Sequence, residues 1–274
     1  MNKSREWKSF LIPYEQAVEE LKVKFKSIRR EYQDTNGYSP IEFVTGRLKK
    51  ISSILEKAER RNIPEEKIGE EMEDIAGIRI MCQFIDDIYA VADLIRNRSD
   101  MTIVYEKDYI ANPKESGYKS LHVIISYPVQ TINGEREILA ELQIRTLAMN
   151  FWATIEHSLN YKYTQHIPEN IESKLQKAAE AASALDQEMY TIRQEVITAQ
   201  LLFEQKSNIV ADITKNLQSL YAVGLLDEAE KFQERFTKLW STTNVEELDR
   251  LSREIKELLP SYRLFFDNNL EDGD

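Results

Sequence analysis

Glu137-Ile-Leu-Ala-Glu-Leu-Gln-Ile-Arg-Thr-Leu-Ala-Met-Asn150 changes period part-way along. Up to Thr146, the apolar residues Ala140, Leu142 and Ile144 alternate with Glu141, Gln143 and Arg145, the period of a strand with one apolar and one polar face. Beyond Thr146, Met149, Trp152, Ala153, Ile155, Glu156, Leu159 and Tyr163 follow a helical spacing over four turns. Glu141, Gln143 and Arg145 therefore share one surface. On an antiparallel sheet such a surface can equally be a solvated outer face, so the rest of the chain has to decide its use.

The 274 residues carry a formal charge of -11, with 42% hydrophobic and 30% charged residues. That is an ordinary soluble composition, long enough for a full core plus a helical appendage. The charge is uneven: residues 1–62 hold 14 Lys+Arg against 9 Asp+Glu, and residues 168–274 hold 12 against 21. General attraction to nucleic acid or membrane is disfavoured, while the N-terminal third is locally basic. The single cysteine, Cys82, lies in an apolar run and reads as a core thiol in a reducing compartment. No signal-like run opens the chain and no stretch has membrane-span length. A cytoplasmic protein without membrane contact is the expectation.

Upstream, residues 4–33 read as a helix through Phe10, Tyr14, Ala17, Val18, Leu21, Phe25 and Ile28, with Lys22, Lys24, Lys26, Arg29 and Arg30 crowding its second half. The turn at residues 34–40 stops it, and Ser39 before Pro40 reads as the N-cap of a second helix over residues 40–61. Gly46 inside such a helix costs about 1 kcal/mol relative to Ala, which implies a neighbour needing its space. Strands are expected at residues 75–84, 101–110 and 121–127, with a helix at 86–98 between the first two. Asn133-Gly134 is a hairpin signal joining the third strand to the Glu137 stretch. Pro168 breaks the chain before a long helix over residues 168–206, and residues 207–267 read as further helices punctuated by Gly224, residues 241–244 and Pro260, with an acidic tail at 268–274. The order predicts an α+β fold, an α/β sandwich with a mixed β-sheet flanked by helices. Two segments follow from this: a domain over residues 1–206 and a helical extension over 207–274.

Asp74 at the first strand and Glu141 in the last could be neighbours. Carboxylates on rigid strands suit Mg²⁺ held with a nucleotide polyphosphate, and Arg47, Lys49, Lys57, Arg79, Lys114 and Arg145 add the cations that phosphate requires. In the loop Lys114-Glu-Ser-Gly-Tyr-Lys-Ser-Leu-His122, Gly117 allows close approach to the backbone, Tyr118 offers a flat surface, and Lys114 and His122 can meet phosphate. Each residue alone fits a plainer role: a surface acid, a loop aromatic, an interior histidine.

Taken together, Thr45-Gly-Arg-Leu-Lys, Glu73-Asp-Ile-Ala-Gly-Ile-Arg, the Lys114–His122 loop, Glu141-Leu-Gln-Ile-Arg-Thr and Phe151-Trp-Ala-Thr-Ile-Glu-His resemble the synthetase domain of RelA/SpoT alarmone enzymes, above all the small stand-alone RelQ-type synthetases. The resemblance covers about residues 5–206 and leaves 207–274 without an inherited role. It implies a nucleotidyltransferase-like sheet and transfer of the pyrophosphate of ATP to the ribose 3′-hydroxyl of GDP or GTP, a GTP diphosphokinase of the stringent response.

Carried over residue by residue, Arg47 and Arg79 would sandwich the adenine, and Lys49 and Lys57 would hold ATP phosphates. Asp74 and Glu141 would bind Mg²⁺, Glu141 also accepting the 3′-hydroxyl proton. Tyr118 would stack on guanine, Asn150 would help read its edge, Gln143 would also bind the GDP or GTP, and Lys114, Lys119 and His122 would face the acceptor's phosphates. Lys119 and Leu121 depart from the arginine and tyrosine of close relatives, so Lys119 keeps charge without a bidentate fork. The resemblance further implies a homotetramer, and pppGpp as an activator held by Lys22, Lys26, Glu42, Phe43, Thr45 and Asn150. The hydrolase domain of the long family members carries a metal-binding His-Asp pair; here no His is followed by Asp and there is no room before residue 5 for such a domain, so synthesis without hydrolysis is expected. Two other readings stay open: a catalytically inactive nucleotide-binding regulator, and a single-stranded RNA-binding module resting on the basic helix.

Overall fold

The computed structural model describes residues 3–162, 169–240 and 244–270. Pro168, Tyr163, residues 241–243 and the last four residues of the acidic tail lie outside them. The chain divides into two compact units, Met1–Thr191 and Ile192–Asp274.

In the first unit, α1 (Lys3–Asn36) buries Tyr14, Ala17, Val18, Leu21, Phe25 and Ile28, the stripe read from the sequence. It ends where Gly37 takes a left-handed φ of 69° and its N–H bonds back to the Gln33 carbonyl at 3.1 Å. Residues 40–61 correct the expectation of one long helix: they form β1 (Phe43–Leu48) followed by α2 (Ile51–Arg61). The β-branched pair Val44-Thr45 favours extended backbone, and the alternation is that of an edge strand, Val44 buried between exposed Phe43 and Thr45. Ser39 caps no helix; its Oγ accepts the Ile41 N–H at 3.1 Å in a side-chain turn ahead of the strand. Gly46 does free space for a neighbour, from within a strand. A Cβ there would stand 2.5 Å from Val18 Cγ1 and 2.4 Å from Lys22 Cδ, both on α1.

A 3-10 turn and α3 (Ile68–Glu71) lead into β2 (Ala76–Cys82), α4 (Ile85–Arg96), β3 (Thr102–Asp108), β4 (Leu121–Thr131) and β5 (Gly134–Thr146). The sheet order is β1-β2-β5-β4-β3. β2 and β5 run parallel and every other pair antiparallel, so the mixed α+β sheet is present. Gly134, at φ 100°, turns the β4–β5 hairpin at the Asn133-Gly134 signal. Cross-strand partners share a face. Register therefore aligns Thr45, Arg79, Gln143 and His122 in one row and Arg47, Gly77 and Glu141 in the next. The opposite face carries Val44, Ile78, Ile80, Val123, Ile125, Leu142 and Ile144, buried with the apolar sides of α1 and α4 in one core.

Thr146 ends β5 and caps α5 (Leu147–Lys162), its Oγ1 accepting the Met149 N–H at 3.1 Å. α6 (Glu169–Ala222) continues well past the expected end near residue 206. In the second unit Ile213, Leu217 and Leu220 of α6 bury against Phe232 of α7 (Leu226–Trp240) and Leu248, Leu251 and Ile255 of α8 (Val245–Leu270). The apolar residues beyond 206 thus make a core of their own, which is why α6 does not stop there. α8 runs through Pro260 instead of breaking at it.

Gly46→Ala is expected to destabilise the protein by about 1–3 kcal/mol, because Val18 cannot swing aside as Lys22 can. Urea unfolding measures it; an unchanged midpoint would show that α1 yields freely, and adding Val18→Ala should restore part of the loss.

Candidate active site

The polar face of the sheet opens into a cavity lined by Arg47, Lys49, Asp74, Gly77, Arg79, Glu141 and Gln143. Gly77 sits between Arg47 and Glu141 in register and puts no side chain over its floor. Asp74, just before β2, accepts Lys49 Nζ at 2.6 Å and Lys57 Nζ at 2.7 Å, both on Oδ2. Its Oδ1 is buried with no hydrogen-bond partner. Burial pushes the Asp74 carboxyl upward, but the two ammonium groups outweigh it and hold the acid below its ordinary pKa. Glu141 is likewise pushed up by burial and brought below its ordinary value by hydrogen bonds. His122 Nδ1 lies 2.9 Å from its Oε1, and Gln143 Nε2 donates to its Oε2 at 2.7 Å. Both acids are therefore anionic at neutral pH. Arg79 reaches Gln143 Oε1 only through a long contact of 3.4 Å.

Tyr118 belongs to the same polar cluster. Its hydroxyl is 2.7 Å from His122 Nε2 and 3.0 Å from Arg145 Nη2, and Arg145 Nη2 also donates to Gln143 Oε1 at 2.6 Å. Lys114 Nζ stands 4.9 Å from the Tyr118 ring and 4.7 Å from the Tyr109 ring, while Arg145 Cζ is 5.5 Å from the former. The Tyr118 surface is thus already attended by cations. Arg145, grouped from the sequence with phosphate-binding cations, is only 3% exposed. It serves Tyr118 and Gln143 instead, and its Nε has no partner.

Two loop residues differ from their expected surroundings. Lys119 Nζ donates to Ser183 Oγ at 2.6 Å, directing its charge to α6 and not into the cavity. Gly117, at φ 86°, does allow close approach, but the approaching group is Ala179 of α6, which would lie 2.5 Å from a Cβ there. Both follow from α6 packing over the loop, where Trp152 Nε1 also donates to the Leu175 carbonyl at 2.8 Å.

Asn150 lies on α5, and its carbonyl accepts the Thr154 hydroxyl at 2.7 Å. Phe43, 42% exposed, and Thr45 line the free edge of β1. Glu42 accepts Gln83 Nε2 at 2.7 Å. On the basic helix, Lys22 pairs with Glu19, Lys24 with Asp100 and Arg30 with Asp34, and Arg29 donates to the Ile41 carbonyl, whereas Lys26 is exposed. Charges so occupied give little to an RNA backbone. Sequence reading missed Tyr109, Ser183 and Asp186. Tyr109 packs edge-on against Tyr118 and His122, and Asp186 accepts the Thr146 hydroxyl at 2.7 Å. Helix packing selects these residues, and no local pattern marks them.

A family model described as a region found in RelA/SpoT proteins matches residues 46–166. The chain is 59% identical over 202 residues to GTP pyrophosphokinase YjbM of Bacillus subtilis, covering 74% of this chain and 95% of that one. GTP pyrophosphokinase YwaC of the same organism is 42% identical, covering 70% and 92%. The chain belongs to the RelA/SpoT family. Within it, the chain is a small alarmone synthetase and a GTP pyrophosphokinase. The crystal structure of small alarmone synthetase 1 from B. subtilis bound to its product pppGpp is 60% identical, with a TM-score of 0.68 over 70% of this chain and 98% of that one. The same enzyme bound to AMPCPP superposes with a TM-score of 0.63 at 56% identity, with the same coverage. About a quarter of this synthetase has no counterpart in YjbM. No described helix is long and apolar enough to cross a membrane.

Asp74→Asn leaves Lys49 and Lys57 facing each other without an anion. A loss of about 1–3 kcal/mol of stability is expected, a range that already allows for the pair's partial exposure. Thermal unfolding in the absence of nucleotide measures it, and an unchanged midpoint would show that the lysines simply move into solvent.

Proposed function

We propose that the enzyme moves the β,γ-pyrophosphate of ATP to the ribose 3′-hydroxyl of GDP or GTP. The 3′-oxygen bonds to the β-phosphorus, the bond from that phosphorus to the α,β-bridging oxygen breaks, AMP leaves, and Glu141 takes the hydroxyl proton. The observation that carries this assignment is the placing of Asp74 and Glu141, both anionic, in one cavity with Arg47, Lys49 and Arg79.

Arg47 and Arg79 would grip the adenine, while Lys49 and Lys57 exchange Asp74 for phosphate oxygens. Tyr118 would receive guanine as Lys114 swings from its ring toward the acceptor's phosphates. Gln143 and Asn150 are further acceptor-side candidates. His122 has both ring nitrogens engaged and bridges Tyr118 to Glu141. The donor set fits Mg²⁺: hard carboxylate oxygens, one of them the unpartnered Asp74 Oδ1, with phosphates and water to complete the shell. A bound Mg²⁺ neutralises charge building on the transferred phosphates, so positioning and electrostatics dominate the rate.

Glu141→Gln should lower ppGpp formation from ATP and GDP by about 10²–10⁴-fold or more, because a proton acceptor and an anionic oxygen are lost together. Near-normal turnover in a folded Glu141→Gln protein would refute this mechanism.

For assembly, the proposal is a homotetramer using α6. Its support is the apolar series Leu185, Met189, Ile192 and Val196, each at least 41% exposed at alternating four- and three-residue steps. The β1 edge with Phe43, Thr45 and Glu42, beside Lys22 and Lys26 of α1, together with Asn150, is the proposed pppGpp site. Light scattering should give a tetramer, and calorimetry without ATP should show pppGpp binding that Lys26→Ala weakens. A monomer at micromolar concentration, or binding indifferent to that change, would remove the corresponding half of the proposal.

A further inference from the structure

Two chains of side-chain hydrogen bonds connect Arg145 to Glu141. One passes through Gln143, with steps of 2.6 and 2.7 Å. The other passes through Tyr118 and His122, with steps of 3.0, 2.7 and 2.9 Å. The direction of each bond follows from the carboxylate, which can only accept. His122 must therefore donate from Nδ1. A neutral imidazole then accepts at Nε2 from the Tyr118 hydroxyl, whose oxygen in turn accepts from Arg145. The Gln143 amide donates to Glu141 and accepts from Arg145. Both chains run donor to acceptor from the guanidinium to the carboxylate, an order in which each bond polarises the next. Each oxygen of Glu141 ends one chain, which fixes the plane of the carboxylate.

We propose that Arg145 is a positioning residue that aims Glu141 through these two chains and, by way of the Tyr118 hydroxyl, ties the base to the ring that receives the acceptor. The inference rests on the roles proposed above for Glu141 and Tyr118. Arg145 is too deeply buried to meet phosphate, at 3% exposure. A packing role explains it poorly as well, since its Nε is a buried donor without a partner and an apolar chain of like length would fill the space without that cost. A buried donor kept in this condition calls for a reason other than packing.

The test compares Arg145→Met, Tyr118→Phe, their double variant and Tyr118→Leu in the full chain, by kcat and KM for GDP at saturating ATP and by thermal midpoint. Arg145→Met should melt at or above the parent temperature. Its kcat should fall about 10- to 100-fold, the scale of a misplaced reacting group, with KM for GDP changed far less. Tyr118→Phe keeps the ring and breaks one chain, so kcat should fall less, and the double variant should be no slower than Arg145→Met. Full turnover in Tyr118→Phe or Arg145→Met, a loss confined to KM, or multiplied losses in the double variant would overturn the proposal. Should Arg145→Met fold poorly, Tyr118→Phe decides alone, since it removes a single oxygen. An unchanged KM for GDP in Tyr118→Leu would instead defeat the guanine-platform reading.

Discussion

The parallel ladder between β2 and β5 fixes the chemistry of the polar face. It sets Gly77 beside Glu141 and Arg79 beside Gln143, and the antiparallel edge strand adds Arg47 and Thr45 to the same two rows. A slip of one residue would send these side chains into the core and bring Ile78, Ile80, Leu142 and Ile144 out. The apolar face, packed with α1 and α4, therefore enforces the register that assembles the site. Stability and function share this constraint, although they use opposite sides of the sheet.

Charge is the second constraint. Two carboxylates half-removed from water would drift toward their neutral forms unless cations or hydrogen-bond donors stood beside them. Lys49 and Lys57 do this for Asp74, and His122 and Gln143 for Glu141. The same lysines suit phosphate, so the nucleotide-free site stores its cations on the acid that would hold Mg²⁺. In the proposed reaction Asp74 would turn from the two ammonium groups to Mg²⁺, and Lys49 and Lys57 from the carboxylate to phosphate oxygens, an exchange of like for like. Such an exchange would leave little reorganisation for the chemical step, the condition under which fixed charges accelerate a reaction most.

The strand that carries Glu141 was legible because alternation is a local signal: Ala140, Leu142 and Ile144 inside, Glu141 and Gln143 outside. β1 was not, since Pro40 and the Leu48-Lys49-Lys50 run suggest a helix start and a helical face while the strand is only six residues long. What the sequence could not show is what α6 covers. Lys119 and Gly117 read as ligand-facing residues until Ser183 and Ala179, more than sixty positions away, are seen against them. Arg145 stands third in an alternating polar row, after Glu141 and Gln143, and is chemically indistinguishable there from a solvent-facing cation. Its burial is a tertiary fact.

Among the described residues, the buried side-chain polar atoms without a partner are Asp74 Oδ1 and Arg145 Nε, and both belong to this one site. Either alone could pass as an accident of packing. Together, as the two such side-chain atoms among the described residues, they mark where stability has been given up for function. The two atoms differ in kind. An unpartnered carboxylate oxygen at the cavity wall is open to a cation, and its deficit ends when one arrives. The unpartnered guanidinium nitrogen belongs to a residue that does not line the cavity. Its return therefore comes from what the remainder of the guanidinium holds in place, the hydroxyl of Tyr118 and the amide of Gln143.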